Sequence, residues 1–189
     1  MLSVQTIKNL HILALLLLSL PLLGAFGIQI FMNELPCPLC LLQRVGMIGV
    51  AVGLLMNLKF GISAMHYGLS IVSALIGAAV STRQILLHIV PTADGVTGFG
   101  DAVMGLHLYT WALVVFLASI LGIALLMIFA KKSAEHKEDI EEKNTSLSKA
   151  QKSVFALFIV LALANTLGAF LECGLSPCPE DPTEYKLLP

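Results

Sequence analysis

Five stretches of about 18 to 25 residues, each nearly free of charge, govern what this chain can fold into: residues 10–32, 41–58, 67–90, 106–130 and 154–171. An α-helix rises 1.5 Å per residue, so about 20 apolar residues cross the hydrocarbon core of a bilayer. Water-soluble domains carry roughly a quarter charged residues, whereas only 12% of these 189 residues are charged and 57% are hydrophobic. That balance excludes a soluble globular domain, a disordered tail and a nucleic-acid binder. The expectation is an all-α integral membrane protein embedded in the lipid bilayer. The first run is longer than the roughly 7–15 residues of a signal-peptide core, so it reads as a span rather than a cleaved leader.

The scarce basic residues orient the spans. Lys8, Lys59, Lys131, Lys132, Lys137, Lys143, Lys149 and Lys152 fall on one side, and only Lys186 falls on the other. The excess of Lys and Arg on cytoplasmic segments then predicts the N-terminus inside and the C-terminus outside. Arg44 and Arg83 remain within apolar runs, near their outer ends. Residues 131–152 mix Lys with Asp and Glu and read as a charged, solvated cytoplasmic connector. Small residues Gly46, Gly49 and Gly53 on the second run, with Gly77, Ala78 and Ala79 on the third, allow close helix contact. No Asp or Glu falls inside any of the five runs, which argues against a transporter or a respiratory subunit.

All four cysteines land on the outer side. Cys37 and Cys40 introduce the second run, and Cys173 and Cys178 follow the fifth. In a bacterium that side is the periplasm, where disulfides persist. Cys37-Pro38-Leu39-Cys40 sits at a helix start, whose free N–H groups and dipole favour a thiolate. Arg44 follows Cys40 by four residues, on the same helical face and one turn deeper. A fixed cation in the membrane marks a functional site. Four thiolates could instead hold zinc tetrahedrally, but that leaves Arg44 without a purpose, and an oxidising compartment favours disulfides.

The run Pro36-Cys37-Pro38-Leu39-Cys40-Leu41-Leu42-Gln43-Arg44 resembles the signature of the disulfide bond formation protein B (DsbB) family of inner-membrane quinone reductases, and the likeness extends over roughly residues 10–130, Arg83 included. The resemblance implies a four-helix transmembrane bundle in the bacterial inner membrane. Such a protein reoxidises a soluble periplasmic thiol oxidase of the thioredoxin fold (DsbA-like) and passes two electrons to the membrane quinone pool, ubiquinone or menaquinone. It further implies that Cys37 and Cys40 are the quinone-proximal redox pair, Cys40 being the thiolate beside the ring, and that Arg44 orients and polarises a quinone carbonyl. Arg83 and His88, at the outer end of the third run, are weaker candidates for lining the quinone pocket. His107 is a candidate proton donor or an interfacial side chain.

The chain departs from the family in one respect. The familiar second cysteine pair belongs in the outer loop between spans three and four, yet residues 91–105 contain no cysteine. A fifth span brings Cys173 and Cys178 to the outer side instead. The inferred organisation is a four-helix membrane domain (1–130), the charged connector (131–152), and a fifth span with a cysteine-bearing tail (153–189). In that arrangement Cys173 and Cys178 exchange with the soluble oxidase from a flexible tail, unless they form a structural disulfide. A specialised enzyme serving one dedicated partner is the nearest alternative, and a thiolate metal-binding membrane protein a more distant one.

Overall fold

A computed structural model describes residues 3–90, 98, 100, 102–134, 147–180 and 182–187, apart from the side chains of 131–134. Five helices are long and apolar enough to cross a membrane. They are α1 (Val4–Phe31), α2 (Pro38–Phe60), α3 (Ala64–Leu87), α4 (Leu108–Ala134) and α5 (Lys149–Cys173). The chain is a helical, multi-pass membrane protein. Most of the charged connector, residues 135–146, and most of the glycine-rich loop lie outside the described residues.

Helix ends follow local chemistry. Ser3, Ser63 and Ser148 cap α1, α3 and α5 by accepting backbone N–H groups, and Gln151 completes a capping box with Ser148. These polar caps carry the helices past the apolar runs that announce them. Between α3 and α4, a two-stranded hairpin pairs β1 (Ala102–Val103) with β2 (Leu106–His107). Its turn residues Met104 and Gly105 both have positive φ, at 54° and 82°, as a two-residue hairpin requires.

Packing explains the small residues. A Cβ on Gly77 of α3 would run into the Phe116 ring of α4, and one on Gly53 of α2 would strike Ser70 and the His66 carbonyl. Gly46 and Gly49 likewise face Gly77 and Ser73, so α2 and α3 approach almost backbone to backbone. Ser70 Oγ reinforces the contact by donating to the Val50 carbonyl at 2.8 Å. Because lipid tails are as apolar as the helices, such close approach and hydrogen bonding are what hold a membrane bundle together.

Two polar layers bracket the apolar centre. At one end, Asn57 Oδ1 accepts from the Ser63 backbone (2.9 Å) and meets His66 Nδ1 (3.1 Å), while Asn57 Nδ2 lies 3.4 Å from His11 Nε2. His11 and His66, which carry no expected chemistry, thus tie α1, α2 and α3 together. At the other end lie both cysteine pairs, since α2 begins and α5 finishes there. Short links join α1 to α2 and α2 to α3, and Gly168 of α5 faces Gln29 near the end of α1.

Two expectations need correction at this cysteine end. α5 continues to Cys173, so its last turn contains Glu172, and an acidic residue does lie inside a span. The Gly and Pro residues of the tail do not leave it loose either. The helix stops at Gly174 (φ 63°), the Leu187 N–H donates to the Leu171 carbonyl, Lys186 reaches Ser176, and Tyr185 reaches Gln29. The tail folds back over the end of the bundle.

Candidate active site

The site begins with the cap of α2. Cys37 occupies the N-cap position, its Sγ accepting the Cys40 N–H at 3.1 Å, with Pro38 in the first turn where no N–H is needed. Cys37 and Cys40 form a disulfide. Its sulfurs therefore sit over the positive end of a 23-residue helix dipole.

A glutamine from the neighbouring helix completes the immediate surroundings. Gln84 of α3 is 0% exposed. Its Nε2 donates toward Cys37 Sγ at 3.1 Å and Cys40 Sγ at 3.4 Å. Its Oε1 accepts from Gln43 Nε2 at 2.8 Å, which holds the amide in that orientation. A donor fixed beside two sulfurs favours the thiolate once the disulfide is reduced, since hydrogen bonds to charged acceptors are the stronger ones.

Arg44 lies one turn deeper, as its spacing predicts, and is 7% exposed. It donates through Nη1 to Gln29 Oε1 at 2.6 Å and through Nη2 to the Ala25 carbonyl at 3.2 Å, and its guanidinium stands 4.7 Å over the Phe26 ring. Burying a cation is tolerated only when such partners replace water. Gln29 is itself a bridge, because its Nε2 donates to the Tyr185 hydroxyl at 3.0 Å. The tail thereby joins the arginine's support.

Cys173 and Cys178 form the second disulfide. Cys173 is buried and Cys178 partly exposed. The fold brings this pair to the same end of the bundle as Cys37 and Cys40. A cavity of about 460 Å³ is lined by Asn33, Glu34 and Leu35 of the α1–α2 link, by Gly98 and Gly100, and by Pro182 and Thr183 of the tail. The four cysteines do not converge on one point, and among the described residues no three His, Cys, Asp or Glu are placed to hold a metal ion.

The weaker candidates lie around the rim. Arg83 is exposed and faces away from Gln84's side of α3. His88 is half-buried, with Nδ1 2.8 Å from the Gln84 carbonyl, and its ring stacks on Tyr109, which in turn stacks on His107. Gln29, Gln43, Gln84, Glu172 and Tyr185 were not singled out from the sequence. A search for uncharged amides inside apolar runs would have found the three glutamines.

The profile of the family "Disulfide bond formation protein DsbB" matches residues 7–97. Disulfide bond formation protein B of Pseudomonas syringae pv. tomato is 33% identical over 124 residues, covering 49% of this chain and 73% of the relative. The chain belongs to the DsbB family. Disulfide bond formation protein B 1 of Pseudomonas fluorescens is 28% identical over 140 residues, covering 58% of this chain and 82% of the relative. The Chromobacterium violaceum protein is 42% identical over 94 residues, covering 45% and 55%. No solved structure matches. Membership in the DsbB family makes this a membrane protein of disulfide bond formation, and the profile match ends before α4, α5 and the cysteine-bearing tail.

Proposed function

We propose that the protein is a thiol:quinone oxidoreductase of the bacterial inner membrane, which reoxidises a periplasmic DsbA-like thiol oxidase at the expense of ubiquinone or menaquinone. The observation that carries this reading is the stacking of Cys37–Cys40, Gln84 and Arg44 at one helix start: a redox pair, a donor for its thiolate, and a buried cation one turn below.

The residues present fit a quinone headgroup. Arg44 spends two of its guanidinium N–H groups on Gln29 and Ala25, and the others remain for a further acceptor. When bound, quinone takes up two electrons and two protons, the same number that two thiols release on closing a disulfide. Arg44 stabilises negative charge developing on a carbonyl oxygen, in a place where water competes poorly. The α2 N-terminus and Gln84 hold the attacking sulfur, Cys40, as a thiolate. Arg83 and His88 are peripheral to this work. Deeper in the bundle, an apolar cavity of about 360 Å³ between α1, α2 and α4 is suited to a hydrocarbon tail.

Cys173 and Cys178 act as the partner-facing pair, in place of a cysteine pair in the outer loop. Cys178, the more exposed sulfur, is attacked by a thiolate of the reduced oxidase, and Cys173 leaves. Resolution returns the partner as a disulfide and leaves two thiols here, which reduce Cys37–Cys40. Leu175, almost fully exposed between the two cysteines, offers the partner an apolar contact. The orientation follows the basic residues, with the N-terminus cytoplasmic and the C-terminus periplasmic. Residues 1–130 form the quinone-reducing unit, 131–152 the connector, and 153–189 the partner-facing addition.

Replacing Cys178 with Ser tests the order of the pairs. Oxidation of a reduced DsbA-like protein is expected to fall at least a hundredfold, while quinone reduction by dithiothreitol stays within about twofold of wild type. Persistence of partner oxidation assigns the second disulfide to a structural role.

A further inference from the structure

The chemistry described so far leaves one buried group unused. Glu172 of α5 is 0% exposed, and among the described residues neither of its carboxyl oxygens has a hydrogen-bond partner. The nearby guanidinium of Arg44 donates instead to Gln29 and Ala25. An ion pair kept for architecture is expected to close into hydrogen-bond contact, because an unsatisfied buried carboxyl costs stability. Gly168, one turn before Glu172 on α5, lies against Gln29, the amide that accepts from Arg44, so the carboxyl and the guanidinium share one neighbourhood with unspent hydrogen-bonding capacity on both.

The same face of α5 repeats the pattern. Asn165 lies seven residues earlier, two turns away on the same face, and its buried Oδ1 is likewise unpartnered. Gly168, between them, presents no side chain toward Gln29. Gln29 of α1 donates to the Tyr185 hydroxyl and accepts from Arg44 of α2. Arg44, Gln29 and Tyr185 thus form one connected polar group at the end of the bundle where α5 carries Glu172.

We propose that Glu172 is the acidic wall of the quinone-headgroup site, opposite Arg44, and the residue that passes a proton between the protein and the quinone oxygen on the α5 side. The inference rests on the quinone reading of this site and adds a residue to it. Oxidation of the two thiols releases two electrons and two protons. Both electrons leave through the Cys40 sulfur. One proton is delivered from the Glu172 carboxyl to the bound oxygen on the α5 side and a second reaches the other oxygen from water at the outer end of the bundle; the carboxylate then recovers one of the two thiol protons, and the other passes to that water. A carboxyl without fixed partners is suited to this, since it can donate in one state and accept in the next. The fifth helix therefore contributes to both ends of the electron path: Cys173 to the partner side and Glu172, its neighbour, to the quinone side.

Two measurements on the full-length protein in detergent or lipid test this. First, wild-type protein is treated with dicyclohexylcarbodiimide, which modifies buried protonated carboxyls, with and without a saturating short-chain ubiquinone. Mass spectrometry is expected to find Glu172 modified, and quinone to slow that modification at least fivefold. Second, Glu172→Gln keeps the shape but cannot exchange a proton. Its reduction of the same quinone by dithiothreitol is expected to fall at least tenfold, with Glu172→Asp recovering part of the rate and both variants melting near wild type. No modification of Glu172, modification that quinone does not slow, or a Glu172→Gln protein of normal rate overturns the proposal; the second of these outcomes is that expected if only water bridges Arg44 and Glu172. If wild-type protein neither binds nor reduces any quinone, the quinone reading itself fails and this inference falls with it.

Discussion

Gln84→Met removes the side-chain amide that touches both sulfurs of the first pair, while keeping side-chain length. In the disulfide state the lost interaction is a weak N–H to sulfur contact at 3.1 and 3.4 Å. In the reduced state the same N–H meets a thiolate. Hydrogen bonds to charged groups contribute about 1.5–3 kcal/mol against about 0.5–1.5 for neutral ones, so the reduced state loses about 1–2 kcal/mol more than the oxidised one. For a two-electron couple about 1.4 kcal/mol corresponds to 30 mV, which places the expected fall in reduction potential at about 20–40 mV. The sign follows because destabilising the dithiol makes its disulfide a weaker oxidant. Substitution also strands the Gln43 amide, whose acceptor is Gln84 Oε1, at a cost of about 1–3 kcal/mol. That loss is common to both redox states and appears in the melting temperature rather than the potential. The assay is equilibration of a Cys173→Ser/Cys178→Ser background in thiol–disulfide buffers, followed by alkylation and separation of the modified forms. A potential that stays within about 10 mV of the parent, or rises, refutes the thiolate-donor role of Gln84.

Arg44→Met keeps the bulk over Phe26 but abandons Gln29 Oε1; quinone reduction is expected to fall at least a hundredfold, as for loss of one donor to developing negative charge, with Arg44→Lys intermediate, measured at saturating dithiothreitol. Gly77→Ala pushes a methyl group against Phe116, and thermal unfolding is expected to register a loss of about 1–3 kcal/mol, with the potential of the first pair unchanged if α3 keeps its register.

Residues whose character differs from that of their surroundings were legible in the sequence. Arg44 stands out as a charge in an apolar run, and its spacing from Cys40 already places it one turn below the thiol. The glycines of α2 and α3 are readable because close helix approach demands small residues on one face, and they do meet Ser73, Ser70 and Phe116. Gln84 was hidden because an uncharged amide lowers hydropathy only slightly and says nothing of its partner 47 residues away. Glu172 was hidden differently: hydropathy ends the span at 171, whereas the helix runs on through Cys173 before Gly174 stops it. The tail misled for a third reason. Pro and Gly correctly exclude helix beyond Gly174, but they say nothing about Tyr185 finding Gln29 or the Leu187 N–H finding Leu171, which are matters of tertiary placement.

The near-contact of α2 with α3 has a consequence for how the two cysteine pairs divide their work. Gln84 and the first disulfide are carried on two helices whose glycine faces leave no slack for sliding, so in the proposed exchange the donor and the sulfurs keep their spacing while the partner docks and departs. The first pair thus behaves as a fixed reference electrode. The second pair joins the last residue of α5 to the start of the tail, outside that clamp, so under the proposed function a change of soluble partner can be met by changing the four residues between Cys173 and Cys178, leaving α2, α3 and the Tyr185 contact untouched.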